Sequence, residues 1–395
     1  MNSKQVLRIA IISVEYLVNA SGSEKGAQAL AEALVNKGHK VYVFTSHYKN
    51  HPKELNGVKI YPVLNKLFQN KKRFIHEYVN SFSTIIKIAI LSRQNKVQIL
   101  NVHDDQMLGV FTGIVGKILG IPVILTWIKA DLGFESFKQN GKYWTYLIRR
   151  FKARMAVNVA DRVMLKGILP DALMKRYSLK REKIFHAPNP TKIPLAPSHY
   201  ENNDIRDKWG LKDFFIVANV ATRMGDNKGI DTILKTAKVL KDRNNDKIKF
   251  LFIGGKRPSA LEFWRRKAKQ YEVEDRVIFT GYQPDIFSFL YYSNLYLLND
   301  IGEIGWQRTL VEAMAMELPV VSRRTNTFCH WFKHLQDVYL VEQATPHEFA
   351  KAIEYFINDY ATQIRIGKNA RQTVLKEWDV EKFSSKFITV CKNLF

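Results

Sequence analysis

The stretch NDIGEIGWQRTLVEAMAMELPVV, residues 299–321, decides how the chain is read. It runs as the end of a strand, a turn with Gly302 and Gly305, and a helix starting near Gln307 that carries Glu312. Pro319 halts that helix ahead of an apolar strand opening at Val320 and Val321. The first turn of a helix has N–H groups without intrahelical partners and the positive end of the helix dipole, which suits a phosphate. Glu312 falls in the second turn, where its carboxylate can accept hydrogen bonds from sugar hydroxyls. A loop that offers N–H groups to an anion and a carboxylate to hydroxyls fits a nucleotide-sugar. Taken alone, the stretch reads equally as an ordinary loop, helix and strand of an α/β domain.

A second constellation lies upstream in VANVATRMGDNKGIDTIL, residues 217–234. A strand ends at Ala221, Arg223 and Lys228 flank a glycine-bearing loop, and Gly229 opens a helix. Two cations on one strand-to-helix loop can grip a diphosphate from both sides, Arg by its planar fork and Lys as a point charge. The pair alone reads as well as a solvated basic loop. With the Glu312 loop at the same sheet edge, the phosphate site is the better reading.

Around these loops the chain alternates short apolar strands with helices, the pattern of a parallel sheet covered on both faces. In the first half, residues 6–14, 40–45, 97–102 and 162–166 read as strands, and residues 24–37 and 170–177 as helices. The run MLGVFTGIVGKILGIPVILTWI, residues 107–128, approaches membrane-spanning length with one charge, Lys117. Gly120 and Pro122 interrupt it and β-branched residues follow, so it reads as a buried helix, a tight turn and a central strand. Gly109, Gly113 and Gly116 let that helix sit close on the sheet. Residues 187–199, APNPTKIPLAPSH, hold four prolines and read as part of a linker. A second alternating set follows: strands at 214–221, 248–253, 277–280 and 295–298, helices at 229–244, 261–271 and 286–293. The expected architecture is α/β, two doubly wound Rossmann-like domains at 1–187 and 205–370 facing a cleft, joined by a linker at 188–204. The amphipathic stretch 371–395, with Trp378, is expected to pack back on the first domain.

A chain of 395 residues exceeds one ordinary core, and 46% hydrophobic content makes it globular. Cys329 and Cys391 cannot build a disulfide framework, and no Cys/His spacing suggests a metal site, which favours a reducing compartment. The apolar run near the amino terminus is too short for a signal peptide. Of the net charge of +24, +18 lies in residues 1–190, where 30 Lys and Arg face 12 Asp and Glu. That asymmetry calls for an anionic partner: a membrane surface, an anionic acceptor or nucleic acid. Two patches stand out, residues 66–73 and residues 143–155, YWTYLIRRFKARM, where aromatics and cations share helical spacing. Interfacial helices have this composition; so does a helix whose aromatics face the core and whose cations alone are exposed.

The motif order R-x4-KG-x-D (from Arg223), FIGG (252–255), RVIFTGY (276–282) and LVEAMAxxxPVV (310–321) resembles the donor-binding half of family-4 glycosyltransferases of the GT-B fold. The first half agrees. Residues 21–46, SGSEKGAQALAEALVNKGHKVYVFTS, are similar to the family's glycine loop and first helix, with Gly22 where the loop passes the diphosphate. ILGIPVILT (118–126) and KIFHAPNP (183–190) match the family's spacing. The resemblance implies transfer of a sugar from a nucleotide-diphosphate donor, with retention of anomeric configuration and no obligatory metal or cofactor. Carried over, Arg223 and Lys228 neutralise the departing diphosphate, and Glu312 holds the ribose hydroxyls. The N–H groups around Gly305, Gln307, Arg308, Thr309 and Leu310 cap a phosphate. Two departures stand against the pattern. The family's two glutamates have seven residues between them, whereas Glu303 and Glu312 have eight, and the strict spacing falls on Ile304. Either the loop takes up one residue and Glu303 reaches the donor sugar, or that contact is missing. The family's histidine after P-V-x-x-T is replaced by Ile128, leaving Lys129 and Asp131 as acceptor-side candidates or as plain surface charges. His103, at a strand end beside Asp104 and Asp105, is a third acceptor-side candidate or a structural, hydrogen-bonded histidine.

The expected protein is therefore a cytoplasmic transferase, peripheral at the inner face of an anionic membrane, acting on a lipid-linked or polysaccharide acceptor. A catalytically degenerate nucleotide-sugar binder is the alternative. A nucleic-acid-binding protein fits less well, because no recognised nucleic-acid module is present and the conspicuous cations flank one small-ligand loop.

Overall fold

The computed structural model describes residues 5–14, 16, 22–46, 52–64, 74–103, 106–127, 143–165, 171–188, 190–194, 196–222, 224–225, 228–299 and 308–395. It is an α/β protein of two compact units. One holds Met1–Lys192 and Trp378–Phe395, the other Ile193–Glu303 and Gln307–Glu377.

The first unit is built on eight strands: β1 (Arg8–Ile12), β2 (Lys40–Ser46), β3 (Glu54–Leu55), β4 (Val58–Leu64), β5 (Ile99–His103), β6 (Val123–Trp127), β7 (Arg162–Leu165) and β8 (Ile184–His186). Their order is β3-β4-β2-β1-β5-β6-β7-β8, parallel throughout except for the β3–β4 hairpin. Helices Phe74–Gln94, Gln106–Leu119 and Tyr143–Val159 pack on one face, around Phe44, Leu100, Val102 and Leu125. Helices Gly22–Asn36 and Val380–Lys392 cover the other, around Ile9, Ile11, Val43 and Ile124. Both faces being covered explains why the strands read as unbroken apolar runs.

Run 107–128 is the helix Gln106–Leu119 followed by β6, and among the described residues no helix is long and apolar enough to cross a membrane. Its glycines serve two contacts. A Cβ on Gly116 would stand 2.4 Å from Val123 Cγ2 on the sheet, whereas one on Gly113 would stand 2.2 Å from Val159 Cγ2 of the neighbouring helix. The helix is thus wedged against the sheet and a second helix together.

The second unit has six parallel strands: β9 (Phe215–Ala221), β10 (Ile248–Gly254), β11 (Val277–Phe279), β12 (Leu295–Leu298), β13 (Val320–Arg323) and β14 (Tyr339–Val341), ordered β11-β10-β9-β12-β13-β14. Helices Ile230–Asp242 and Pro346–Ile357 bury Leu234, Leu240, Phe349 and Ile353 in one core with Phe250, Phe252 and Leu297. The stretch read as one amphipathic piece from 371 is two helices, Tyr360–Glu377 and Val380–Lys392. The break has a local cause: Asp379 accepts a hydrogen bond from Glu381 N (2.9 Å) and starts a new helix. Residues 371–377 belong with the second unit, where the buried Arg371 donates to Ala315 O and to Pro194 O. Residues 378–395 belong with the first.

Candidate functional site

In each sheet the strand order reverses once. In the second unit the chain steps from β9 outward through β10 and β11, then returns to the far side of β9 with β12. Such a reversal leaves a crevice beyond the carboxyl ends of the two central strands, because their following connections turn opposite ways. The loops after β9 and β12 are those that carry Lys228 and lead to Glu312.

The β9–β12 ladder pairs Leu295 with Val217 and Tyr296 with Ala218. Beyond it, the side chain of Asn219 takes over, its Nδ2 donating to Leu297 O at 2.9 Å. Gly229 then brings the two loops together. It has φ 64°, and a Cβ there would lie 2.0 Å from Asn299 O and 2.6 Å from Asn299 Nδ2. Only a residue without a side chain can lie against the root of the second loop in this left-handed conformation. Lys228 is its neighbour, with its N–H donating to Gly225 O at 3.0 Å.

The first loop is tied down from a third side. Gly255 N donates to Ala221 O (3.0 Å), Lys256 N to Thr222 O (3.1 Å), and the buried indole of Trp264 to Met224 O (2.9 Å). Gly254-Gly255 therefore serves the cation loop from the next strand over.

The second loop leads to the helix Arg308–Ala315. Glu312 is 6% exposed, and its Oε1 accepts from Arg308 Nε at 2.7 Å one turn earlier. Oε2 has no partner among the described residues, so the carboxylate keeps acceptor capacity. Thr309 Oγ1 accepts from Tyr296 OH at 2.9 Å, and Leu310 is fully buried. At its far end the helix is held by the Tyr360–Glu377 helix. Arg371 Nη1 donates to Ala315 O, and a Cβ on Gly367 would stand 1.9 Å from Glu317 O. Arg223, Glu303, Gly305 and Gln307 lie outside the described residues.

In the first unit the order reverses between β1 and β5. Gly22 opens the helix after β1, and His103 ends β5, so both candidates stand at that switch point. His103 is 3% exposed, and its Nε2 is 2.7 Å from Asn101 Oδ1. Asn101 Nδ2 donates to Ile124 O (3.1 Å) and Thr126 Oγ1 (2.9 Å), which fixes the amide so that Oδ1 is the acceptor and His103 Nε2 the donor. Lys129 and Asp131 lie outside the described residues, as does the basic patch 66–73. Sequence reading missed Asn219, Trp264 and Arg371. Arg371 falls in a helical segment with an interior glycine, Gly367, whose conformational cost in a helix is a readable sign of close packing.

Comparison with known proteins matches both halves. The family described as "Glycosyltransferase Family 4" matches residues 20–219, and that described as "Glycosyl transferases group 1" matches residues 201–373. The alpha-monoglucosyldiacylglycerol synthase of Streptococcus pneumoniae is 26% identical over 327 residues, covering 80% of this chain and 71% of that protein. The capsular polysaccharide biosynthesis glycosyltransferase CapM of Staphylococcus aureus is 22% identical over 78% of this chain and 79% of its own. Among solved structures, HepE of Anabaena in complex with UDP superposes with a TM-score of 0.78 at 16% identity, covering 98% of this chain and all of that one.

Proposed function

Because the chain belongs to glycosyltransferase family 4, we propose that it transfers a sugar, with retention of configuration, from a nucleotide-diphosphate donor to a lipid-linked or polysaccharide acceptor at an anionic membrane surface. The observation that carries the donor half is the contact of Gly229 with Asn299, which joins the Lys228 loop to the loop entering the Glu312 helix. A diphosphate at this switch point meets Lys228, the Arg223 position and the first-turn N–H groups at Arg308, Thr309 and Leu310, while a ribose meets Glu312. The complex of HepE with UDP-glucose and the naming of the pneumococcal relative as an alpha-monoglucosyldiacylglycerol synthase support that donor class and a lipid acceptor.

The chemistry follows from charge. As the bond from the anomeric carbon to phosphate breaks, positive charge grows on the sugar and negative charge on the diphosphate. Fixed cations and N–H groups aimed at the latter bind the transition state better than the ground state. With retention, the acceptor oxygen arrives on the face the diphosphate leaves, so a departing phosphate oxygen is the near base for the acceptor's proton.

A thermal-shift screen of nucleotide-sugars followed by a transfer assay with the stabilising donor tests this reading. One donor class should raise the melting temperature, and Lys228→Ala should slow transfer about 100-fold, the scale for loss of one leaving-group contact. No stabilisation by any nucleotide-sugar, or normal turnover by that variant, refutes it. Two departures favour a degenerate binder, Ile304 at the strict glutamate spacing and Ile128 at the histidine position. Saturable donor binding with no nucleotide released would establish that alternative.

A further inference from the structure

We propose that the outer surface of three neighbouring helices in the first unit, Phe74–Gln94, Gln106–Leu119 and Tyr143–Val159, lies flat on an anionic lipid bilayer, with Trp144 and Phe151 entering its apolar layer. The proposal rests on the membrane reading above and assigns it a surface.

These helices stand side by side on one sheet face, and their inner residues share one core with the strands. Their outer residues are not what a solvated surface requires. On Tyr143–Val159, Trp144, Ile148, Phe151 and Met155 fall at i, i+4, i+7 and i+11, a single stripe. Trp144 is 77% exposed and Phe151 64%, whereas Tyr146, Ala153, Ala156 and Val157 face the core. The helix therefore has an apolar face on each side. The two neighbouring helices repeat the arrangement, each with an exposed isoleucine pair four residues apart: Ile114 and Ile118 on one, Ile86 and Ile90 on the other. Isolated exposed apolar residues are ordinary; exposed apolar stripes repeated on three helices packed side by side mark an interaction surface.

Charge identifies the occupant. Lys152 and Arg154 border the Trp144 stripe on its two sides, and Lys87, Arg93 and Lys117 stand beside the isoleucine pairs. Glu77 is the one acidic residue in the three helices. A protein partner would have to match a broad apolar surface and these cations at once. An anionic leaflet does so without a specific shape, because its headgroups attract the cations and its acyl chains take up the apolar side chains.

Flotation with vesicles containing phosphatidylglycerol tests the assignment. The wild-type protein should float, and Trp144→Asp/Phe151→Asp should reduce the bound fraction at low lipid about tenfold or more. Tyr360→Asp, the same chemical change at an exposed site in the other unit, should float like wild type. All three should melt alike and hydrolyse donor into water at the same rate. Wild-type flotation that the double variant retains overturns the assigned surface and leaves the membrane reading standing; no flotation of the wild type sinks both. A lipid-free dimer that the double variant converts to monomer would mean that a second copy covers the face, which also overturns the assignment. Should the double variant fold poorly, Trp144→Phe decides. Vesicles of brominated phosphatidylglycerol should quench wild-type tryptophan emission, and that variant should lose most of the quenching; undiminished quenching overturns the proposal.

Discussion

Gly229 has the tightest steric requirement at the switch point of the second unit, because its left-handed backbone and its contact with Asn299 both exclude a side chain. The left-handed conformation alone costs an L-residue about 1–2 kcal/mol, and a Cβ 2.0 Å from a backbone oxygen must push one loop off the other. Gly229→Ala should therefore weaken donor binding in titration calorimetry and lower the melting temperature. A near-normal dissociation constant would show that the two loops act independently. Glu312 makes a sharper comparison, since one carboxylate both pairs with Arg308 and is the residue proposed to hold the ribose. Glu312→Gln keeps the shape and removes the charge, so it should weaken donor binding about tenfold, the value of one charge-assisted hydrogen bond, with little change in melting. Arg308→Ala does the reverse: it strands a buried carboxylate and should cost about 1–3 kcal/mol of stability. Chemical denaturation of the two variants, read beside their donor affinities, separates the roles.

At the scale of elements, the helix carrying Glu312 has eight residues, too short to hold its position without support. Its support is the Tyr360–Glu377 helix, through Arg371 on Ala315 O and the close approach at Gly367. Gly367→Ala should force the two helices apart at a cost of about 1–3 kcal/mol, and transfer should fall more than the melting shift explains; activity tracking stability alone would deny the buttress a functional part. That support was hidden in the sequence, because contact between segments some fifty residues apart leaves no local pattern. The loops themselves were legible. Lys228-Gly229 and Glu312 follow strands whose apolar runs end sharply, and the α/β architecture follows from the same alternation. Strands β3, β8 and β14 were missed, being short and at sheet edges; β4, inside the sheet, was missed because Lys59 and Pro62 interrupt its apolar run. The helix Pro346–Ile357 was missed despite a readable start: Thr345 accepts from Glu348 N (3.3 Å), with Pro346 at the first helical position. The outward aromatics of Tyr143–Val159 could not be read at all. Helical spacing gives which residues share a face but not which face meets the sheet, and this helix is apolar on two.

For the whole molecule, acid stability is set partly by two histidines, one in each unit. His39 Nδ1 accepts from Leu7 N (3.1 Å) and His334 Nδ1 from Leu340 N (2.9 Å), so each bond needs the neutral ring. Burial, then Lys392 and Lys37, hold His39 below the ordinary histidine range; burial, then Arg324, does the same for His334. A folded-state value below the unfolded value of about 6.5 means that the unfolded chain binds protons more readily. The contribution is present above pH 6.5 and is lost as the pH falls toward the folded values. The denaturation midpoint should drop between pH 7 and 5.5, and His39→Asn, which keeps an acceptor without titrating, should flatten that slope. The path of the chain between the units has a further consequence, for synthesis. The first unit's core includes Phe383, Phe387 and Cys391 from the Val380–Lys392 helix, whereas the second unit is complete at Glu377. On the ribosome, the part made first must wait for a helix made after the second unit. The later-made sheet can close while its predecessor still lacks the cover on one side, and any truncation after Glu377 damages the unit at the opposite end of the sequence.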